Sequence, residues 1–215
     1  MTGRRQEIRE RNRLSLIEAV LDSVAEKGIS ETSVSEIIQR ADLSRGMIHL
    51  HFGGKDNLVD EAARYSSEQY YNGIYALLET TGQTGQEHIE MIVRGDLSEA
   101  ILNKKNVSIW YAFRGEARNR AAIAAFSDTR DAKLRNLVFN AFARIAKEAG
   151  IKNPNQVARD ATHGTLAMLE GMWTDYLLHP DSFDRDEATR IVFRFLRAMF
   201  PKHFDLSGAL LFDKS

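Results

Sequence analysis

The chain is predicted to be all-α, with a compact three-helix unit at the N-terminus and a larger helical bundle behind it, about nine helices together. Three observations lead there. The three prolines, Pro154, Pro180 and Pro201, all fall in the last third of the 215 residues, which leaves the rest clear of the residue that breaks helices. Apolar residues recur at spacings of three and four, and no segment alternates with the period of two expected of a half-buried strand. Hydrophobic residues make up 43% of the chain, enough for a core without cross-links. With no cysteine, disulfide frameworks, thiolate metal sites and cysteine nucleophiles are excluded.

The first helix is expected from about residue 7 to 27, on the stripe Ile8, Leu14, Leu16, Ile17, Val20, Leu21 and Val24, with Gly28 placed for a left-handed C-terminal cap. Ser33-x-x-Glu36 has the form of a capping box and opens a short second helix through Ile37 and Ile38 to Ala41. Asp42-Leu43 makes a tight turn, because aspartate tolerates the left-handed region. Ser44 caps a third helix, Arg45 to about Leu50. Gly53-Gly54 breaks the chain, and Lys55-Asp56 opens a fourth helix running to about Leu78. Residues 80–86, TTGQTGQ, read as a linker. Further helices are expected at 87–103, 106–115, 119–149, 155–178 and 184–199. The domain boundary is expected within the fourth helix, giving 1–58 and 59–215.

Two short helices joined by a tight turn, the second capped by serine and preceded by a long packing helix, have the geometry of a helix-turn-helix, which lays its second helix in the major groove. Charge neither demands nor forbids this. The net charge is −1, and residues 1–58 hold nine basic and nine acidic side chains, so a DNA-binding face must come from placement. The basic residues are concentrated at the start, where Arg4, Arg5, Arg9, Arg11 and Arg13 stand against Glu7 and Glu10. Such an arm can follow phosphates or enter a minor groove, or remain a disordered tail.

The run from Thr32 to Leu58, TSVSEIIQRADLSRGMIHLHFGGKDNL, resembles the N-terminal motif of the TetR family of bacterial repressors. The tail of His51-Phe52, two small residues, Lys55, an acid and Leu58 is its most specific part. The chain departs from the pattern at Asp42, where a glycine is usual, and at His49-Leu50, where an aromatic pair is common. The resemblance implies a DNA-binding, ligand-responsive transcriptional regulator, a homodimer on a palindromic double-stranded DNA operator. Ser33, Ser44 and Lys55 are then the candidates for phosphate contact at helix N-termini. Arg45 is the candidate for bidentate reading of guanine, Met47 for a thymine methyl, and His49 and His51 for phosphates or bases.

Beyond the fourth helix the chain must pair with a copy and sense a signal. Gly164, Ala167, Met168 and Gly171 are small or flexible residues at helical spacing, and Phe195, Leu196 and Met199 lie on an apolar stripe. Both sets suit a four-helix dimer interface, and both suit packing within one chain. Trp110 and Phe113 share one helical face, and Glu170, Trp173 and Tyr176 another. Aromatics with carboxylates could cage a quaternary ammonium by cation–π attraction, or simply pack. The runs WYAF and LEGMWTDYLL are similar to the C-terminal domain of the family's choline-responsive branch, which implies choline or a related cation as the inducer. A lipophilic drug or acyl-CoA inducer is the alternative.

Other classes fit less well. Of six histidines, none belongs to an HExxH run, and neither a glycine-rich phosphate loop nor a serine elbow occurs, so an enzyme is not expected. His163 with Asp160 is the one conceivable general-base pair. No cofactor or metal is implied. An architectural DNA protein without a ligand is the rival binding function. No stretch approaches a membrane span and no signal peptide is recognisable, so cytoplasmic residence is expected.

Overall fold

A computed structural model describes residues 2–79 and 84–204, with side chains for all of these except 2 and 126–130. Among the described residues the structure is helical throughout: α1 (Thr2–Lys27), α2 (Val34–Ala41), α3 (Arg45–Phe52), α4 (Lys55–Glu79), α5 (Gly85–Asp96), α6 (Lys104–Glu116), α7 (Ala121–Glu148), α8 (Pro154–Leu178) and α9 (Arg185–Met199). The left-handed turns fall where the sequence put them, at Gly28 (φ 83°) and Asp42 (φ 52°). The linker reading is corrected at its end. Residues 80–83 lie outside the described residues, but Thr84 caps α5 in a complete capping box with Glu87. At α2 the reverse holds. Ser33 Oγ accepts the Glu36 N–H at 3.2 Å, while the Glu36 carboxylate is taken by Lys27 at 3.0 Å and Arg40 at 2.9 Å instead of reaching back. These contacts tie α2 to α1 and hold the Glu36 carboxyl below the usual carboxylate range, Lys27 being the larger cause.

The chain forms two compact units, and the division is not at 58/59. One holds 2–70 and 104–128; the other holds 71–79, 84–103 and 129–204. α4 and α7 each run through both. The reason for the correction is burial. Ile109 and Phe113 of α6 and Ile123 of α7 join Leu16, Ile17 and Val20 of α1, Ile37, Ile48 and Leu58 in one core. The start of α6 is also tied to α1, through Lys105 to Asp22 at 2.6 Å. Within this unit the buried Ser23 and Thr32 satisfy each other at 3.0 Å, and Thr32 donates on to the Gly28 carbonyl, so the turn between α1 and α2 carries no orphaned hydroxyl.

In the second unit Ile89, Ile92 and Val93 of α5 are buried, as are Phe142 of α7 and Val192, Phe193 and Leu196 of α9. Phe200 stacks on Phe142 with ring centroids 5.6 Å apart. α5 ends at Asp96, short of the expected 103; the chain turns there, with the Ser98 N–H on the Gly95 carbonyl at 3.1 Å, and two of the carbonyls that follow are taken from outside. The Arg185 guanidinium donates to Leu97 O at 2.8 Å and Leu102 O at 2.6 Å. The other end of α5 presses on α7: a Cβ on Gly85 would sit 2.5 Å from the Ala141 carbonyl oxygen and 3.1 Å from Ile145. Gly85→Ala should therefore push the helices apart and cost about 1–3 kcal/mol as overpacking does. A denaturant midpoint unchanged from wild type would refute that close approach.

Candidate nucleic-acid interface and ligand-side residues

α3 is held by one side and bare on the other. Ile48 is buried, and Met47 and Phe52 pack against the core of the first unit, whereas Arg45, Gly46, His49 and Leu50 are exposed, Leu50 by 66%. Arginine, histidine and an exposed leucine thus share the bare side of this eight-residue helix. At its N-terminus Ser44 is extended (φ −78°, ψ 156°) with no cap bond from its side chain; the Met47 N–H donates to the Ser44 carbonyl at 3.0 Å, which leaves the Ser44 hydroxyl and the Arg45 and Gly46 N–H groups for an anion. A Cβ on Gly46 would meet only Ser44 Oγ, at 3.8 Å. Packing within the chain does not demand glycine there, while close approach of a partner's backbone would.

His49 Nδ1 lies 3.1 Å from the Gly53 carbonyl. A carbonyl only accepts, so Nδ1 donates to it, and in the neutral ring Nε2 is then an acceptor. Ser33 and Lys55 open α2 and α4, Ser33 exposed and Lys55 half-buried. Two of the expected residues are placed differently. Met47 is half-buried on the core, so it offers only part of its side chain outward. His51 follows His49 by two residues, about 200° around a helix, and turns to α1. It is half-buried, its Nε2 has no hydrogen-bond partner, and burial first, then the charges of Arg9 and Arg13, hold its pKa below the ordinary histidine value.

One positioning residue was not legible in the sequence. Arg120, just before α7, donates to the Asp56 carbonyl at 3.0 Å and pairs with the Asp60 carboxylate at 2.8 Å. It pins the first turns of α4 beside Lys55 and offsets the acids there. Only a contact 64 residues away in sequence could have revealed it.

The ligand-side candidates are divided between the units. Trp110 is in the first, tilted on Tyr70 at 5.2 Å with the Arg114 guanidinium 5.3 Å from its ring centre. Phe113, expected to line a cage, is instead 5% exposed in the core beneath α1, because α6 turns that face inward. The second unit holds Glu170, Trp173 and Tyr176. Trp173 is buried, and its indole N–H donates to Asp96 Oδ2 at 2.9 Å; Asp96 is only 3% exposed. Tyr176 meets Phe183 edge-on at 5.4 Å and has Arg185 5.2 Å from its ring centre. The protein thus already sets cations on two of the aromatic faces considered for a ligand. Asp96, a carboxylate buried against an indole, was missed because it lies 77 residues from Trp173.

Of the residues expected at a dimer interface, Ala167 and Gly171 are exposed on α8, and Met168, Phe195 and Met199 are half-buried. Gly164 is spent inside the chain, where a Cβ would come 2.4 Å from Phe195 Cζ. Leu196 is a correction. It is fully buried, on the side of α9 that faces the chain's own core. Ile191, Leu177 and Leu178 add exposed apolar surface to the same two helices. The supposed general-base pair does not form: His163 faces Arg135 at 3.3 Å, and Asp160 accepts from Gln156 at 2.8 Å. Among the described residues no carboxylate or histidine cluster could hold a metal, and no helix is long and apolar enough to cross a membrane.

Comparison with known proteins agrees with this architecture. Residues 16–62 match the family described as bacterial regulatory proteins of the tetR family, and residues 85–201 match the family described as BetI-type transcriptional repressor, C-terminal. The chain is 27% identical over 184 residues to the HTH-type transcriptional regulator BetI 1 of Chromohalobacter salexigens, covering 86% of this chain and 88% of that one. It is 26% identical over 191 residues to BetI of Pseudomonas fluorescens, covering 88% and 93%. Among solved structures, a candidate transcriptional regulator of Pseudomonas aeruginosa superposes with a TM-score of 0.79 at 24% identity, over 90% of this chain and 92% of that one. A regulator of Saccharomonospora viridis crystallised in complex with choline superposes with a TM-score of 0.74 at 18% identity, over 89% and 96%. With both its DNA-binding motif and more than half its length matched, the chain belongs to the TetR family of bacterial transcriptional regulators and carries a C-terminal domain of the BetI type.

Proposed function

We propose that this regulator is a homodimeric repressor that holds a palindromic operator through α3 and leaves it when choline or a related quaternary ammonium binds the second unit. The observation that carries the DNA half is the bare face of α3, where Arg45, His49 and Leu50 are exposed around an unobstructed Gly46. Arg45 reads guanine, His49 offers an acceptor to a base-edge amine, and Ser33, Ser44 and Lys55 hold phosphates. Met47 contributes its exposed part, and His51 contributes from the α1 side. Two copies are needed because one helix reads one half-site. Their contact is assigned to α8 and α9, through Ala167, Met168, Gly171, Phe195 and Met199, with Ile191 extending the face.

For the ligand, the reading rests on the buried pair Asp96 and Trp173 in the domain of BetI type. A quaternary ammonium carries no N–H, so it is received by aromatic faces and a carboxylate rather than by hydrogen bonds, and Glu170 and Tyr176 flank Trp173 on the same helix. Binding to one dimer geometry better than the other shifts the population toward a spacing of the α3 helices that no longer fits the roughly 34–36 Å between successive major grooves. The test is to form the complex with the DNA upstream of the regulator's own gene and titrate choline chloride against sodium chloride at equal ionic strength. Release by choline alone is expected. A complex that ignores choline but yields to betaine or an acyl-CoA would reassign the inducer, and a protein that fails to bind that DNA would remove the reading.

A further inference from the structure

A threonine inside a helix has a ready outlet, because its hydroxyl can donate to the carbonyl four residues back. On α8 two threonines take it. Thr162 Oγ1 donates to the Ala158 carbonyl at 2.7 Å, and Thr174 Oγ1 to the Glu170 carbonyl at 3.0 Å. Thr165 does not. It is 1% exposed, and its Oγ1 atom is buried with no hydrogen-bond partner among the described residues. A buried hydroxyl left in that state is unfavourable, and a valine of the same shape would avoid it.

Thr165 belongs to the buried face of α8 that also carries Leu169 and Trp173. About 12 Å of rise separates the Cα atoms of Thr165 and Trp173. Helical side chains lean toward the N-terminus, which brings the indole back along α8 toward the hydroxyl. Leu169, buried four residues from each, offers methyl groups between them. At the far end the indole N–H donates to Asp96 Oδ2 at 2.9 Å. One helix face thus carries, in order, an unanswered hydroxyl, an aliphatic step and an aromatic ring backed by a buried carboxylate.

A hydroxylated quaternary ammonium has its parts in the same order: hydroxyl, short carbon arm, cation. We propose that Thr165 is the specificity-determining residue of the inducer site, its hydroxyl bonded to a hydroxyl borne on a two-carbon arm of the quaternary nitrogen that Trp173 and Asp96 receive. This rests on the reading of choline or a related cation as the inducer, and says which part of such a molecule the protein selects. An aromatic face and a carboxylate recognise the cation and treat all trimethylammonium groups alike. The end of the arm is read only by a group that exchanges a hydrogen bond with it. The threonine oxygen can donate to the inducer's hydroxyl or accept from it, so no change of protonation is required.

The probes are choline chloride and propyltrimethylammonium chloride, which share the cation and the length of the arm and differ in a terminal hydroxyl against a methyl. Calorimetric titration of each into the full-length wild type, Thr165→Val and Thr165→Ser reads the preference without DNA. The wild type is expected to favour choline by about 3- to 10-fold, the worth of one net hydrogen bond. Thr165→Val should bring that ratio to about 1 while the free protein melts no lower than the wild type, and Thr165→Ser should restore the preference. A merely structural role would move the melting curve and leave the ratio of the two ligands unchanged. Equal affinity of the wild type for both salts overturns the proposal, as does a valine variant that keeps the preference. A valine variant that melts well below the wild type also overturns it, because the hydroxyl would then have a partner in the free protein. A wild type that binds neither salt removes the choline-class reading itself, and this one with it.

Discussion

Arg45→Ala is expected to abolish discrimination between operator and random DNA while leaving a folded dimer. A bidentate arginine–guanine pair contributes about 1–3 kcal/mol of discrimination. That is roughly 5- to 150-fold per half-site, and a symmetric dimer loses it twice. Arg45 is exposed at the first position of α3, so its truncation should change stability by no more than about 0.5 kcal/mol. The measurement is a pair of anisotropy titrations, on operator and on scrambled duplex, at one salt concentration. Loss on the operator with random binding intact is the expected pattern. Equal weakening on both would make Arg45 a phosphate contact, and no change on either would take α3 out of the groove.

The second large effect is expected at Trp173. Truncation of a buried tryptophan to alanine costs about 3–5 kcal/mol, and here the indole is 5% exposed and donates to a carboxylate that is 3% exposed. Trp173→Ala should therefore lower the melting temperature sharply, which by itself would say nothing about the ligand. Trp173→Phe separates the two roles. It keeps an aromatic face and most of the volume but removes the N–H that Asp96 accepts. Phenylalanine there should preserve the fold and operator binding while weakening release by choline, since both the orientation of Asp96 and the better cation–π surface of an indole are lost. Wild-type potency of choline on Trp173→Phe and on Asp96→Asn would move the ligand away from this pair.

What could be read directly from residues is local. Gly28 and Asp42 announce left-handed backbone, because few residues tolerate it, and the structure has both. The spacing of apolar residues located the helices, since a helix buries one stripe whatever it packs against. Which face of a helix is covered is a matter of tertiary packing. Two residues apart, His49 and His51 cannot share one helical face; which of them is left outward and which is turned to α1 is decided by packing. Leu196 looked like interface because its stripe is apolar, but a stripe does not say whether the surface opposite belongs to the same chain or to another.

The sequence by itself determined an all-helical chain, a helix-turn-helix with a specific motif, and the residue types on its reading helix, because capping, left-handed turns and helical periodicity act over one to four residues. Tertiary structure alone decided that α6 completes the N-terminal core, that Phe113 is spent there, that Arg120 steadies α4 and that Asp96 lies against Trp173. Those contacts join residues separated by dozens of positions, and their energy comes from burial and charge pairing between surfaces that no local pattern specifies.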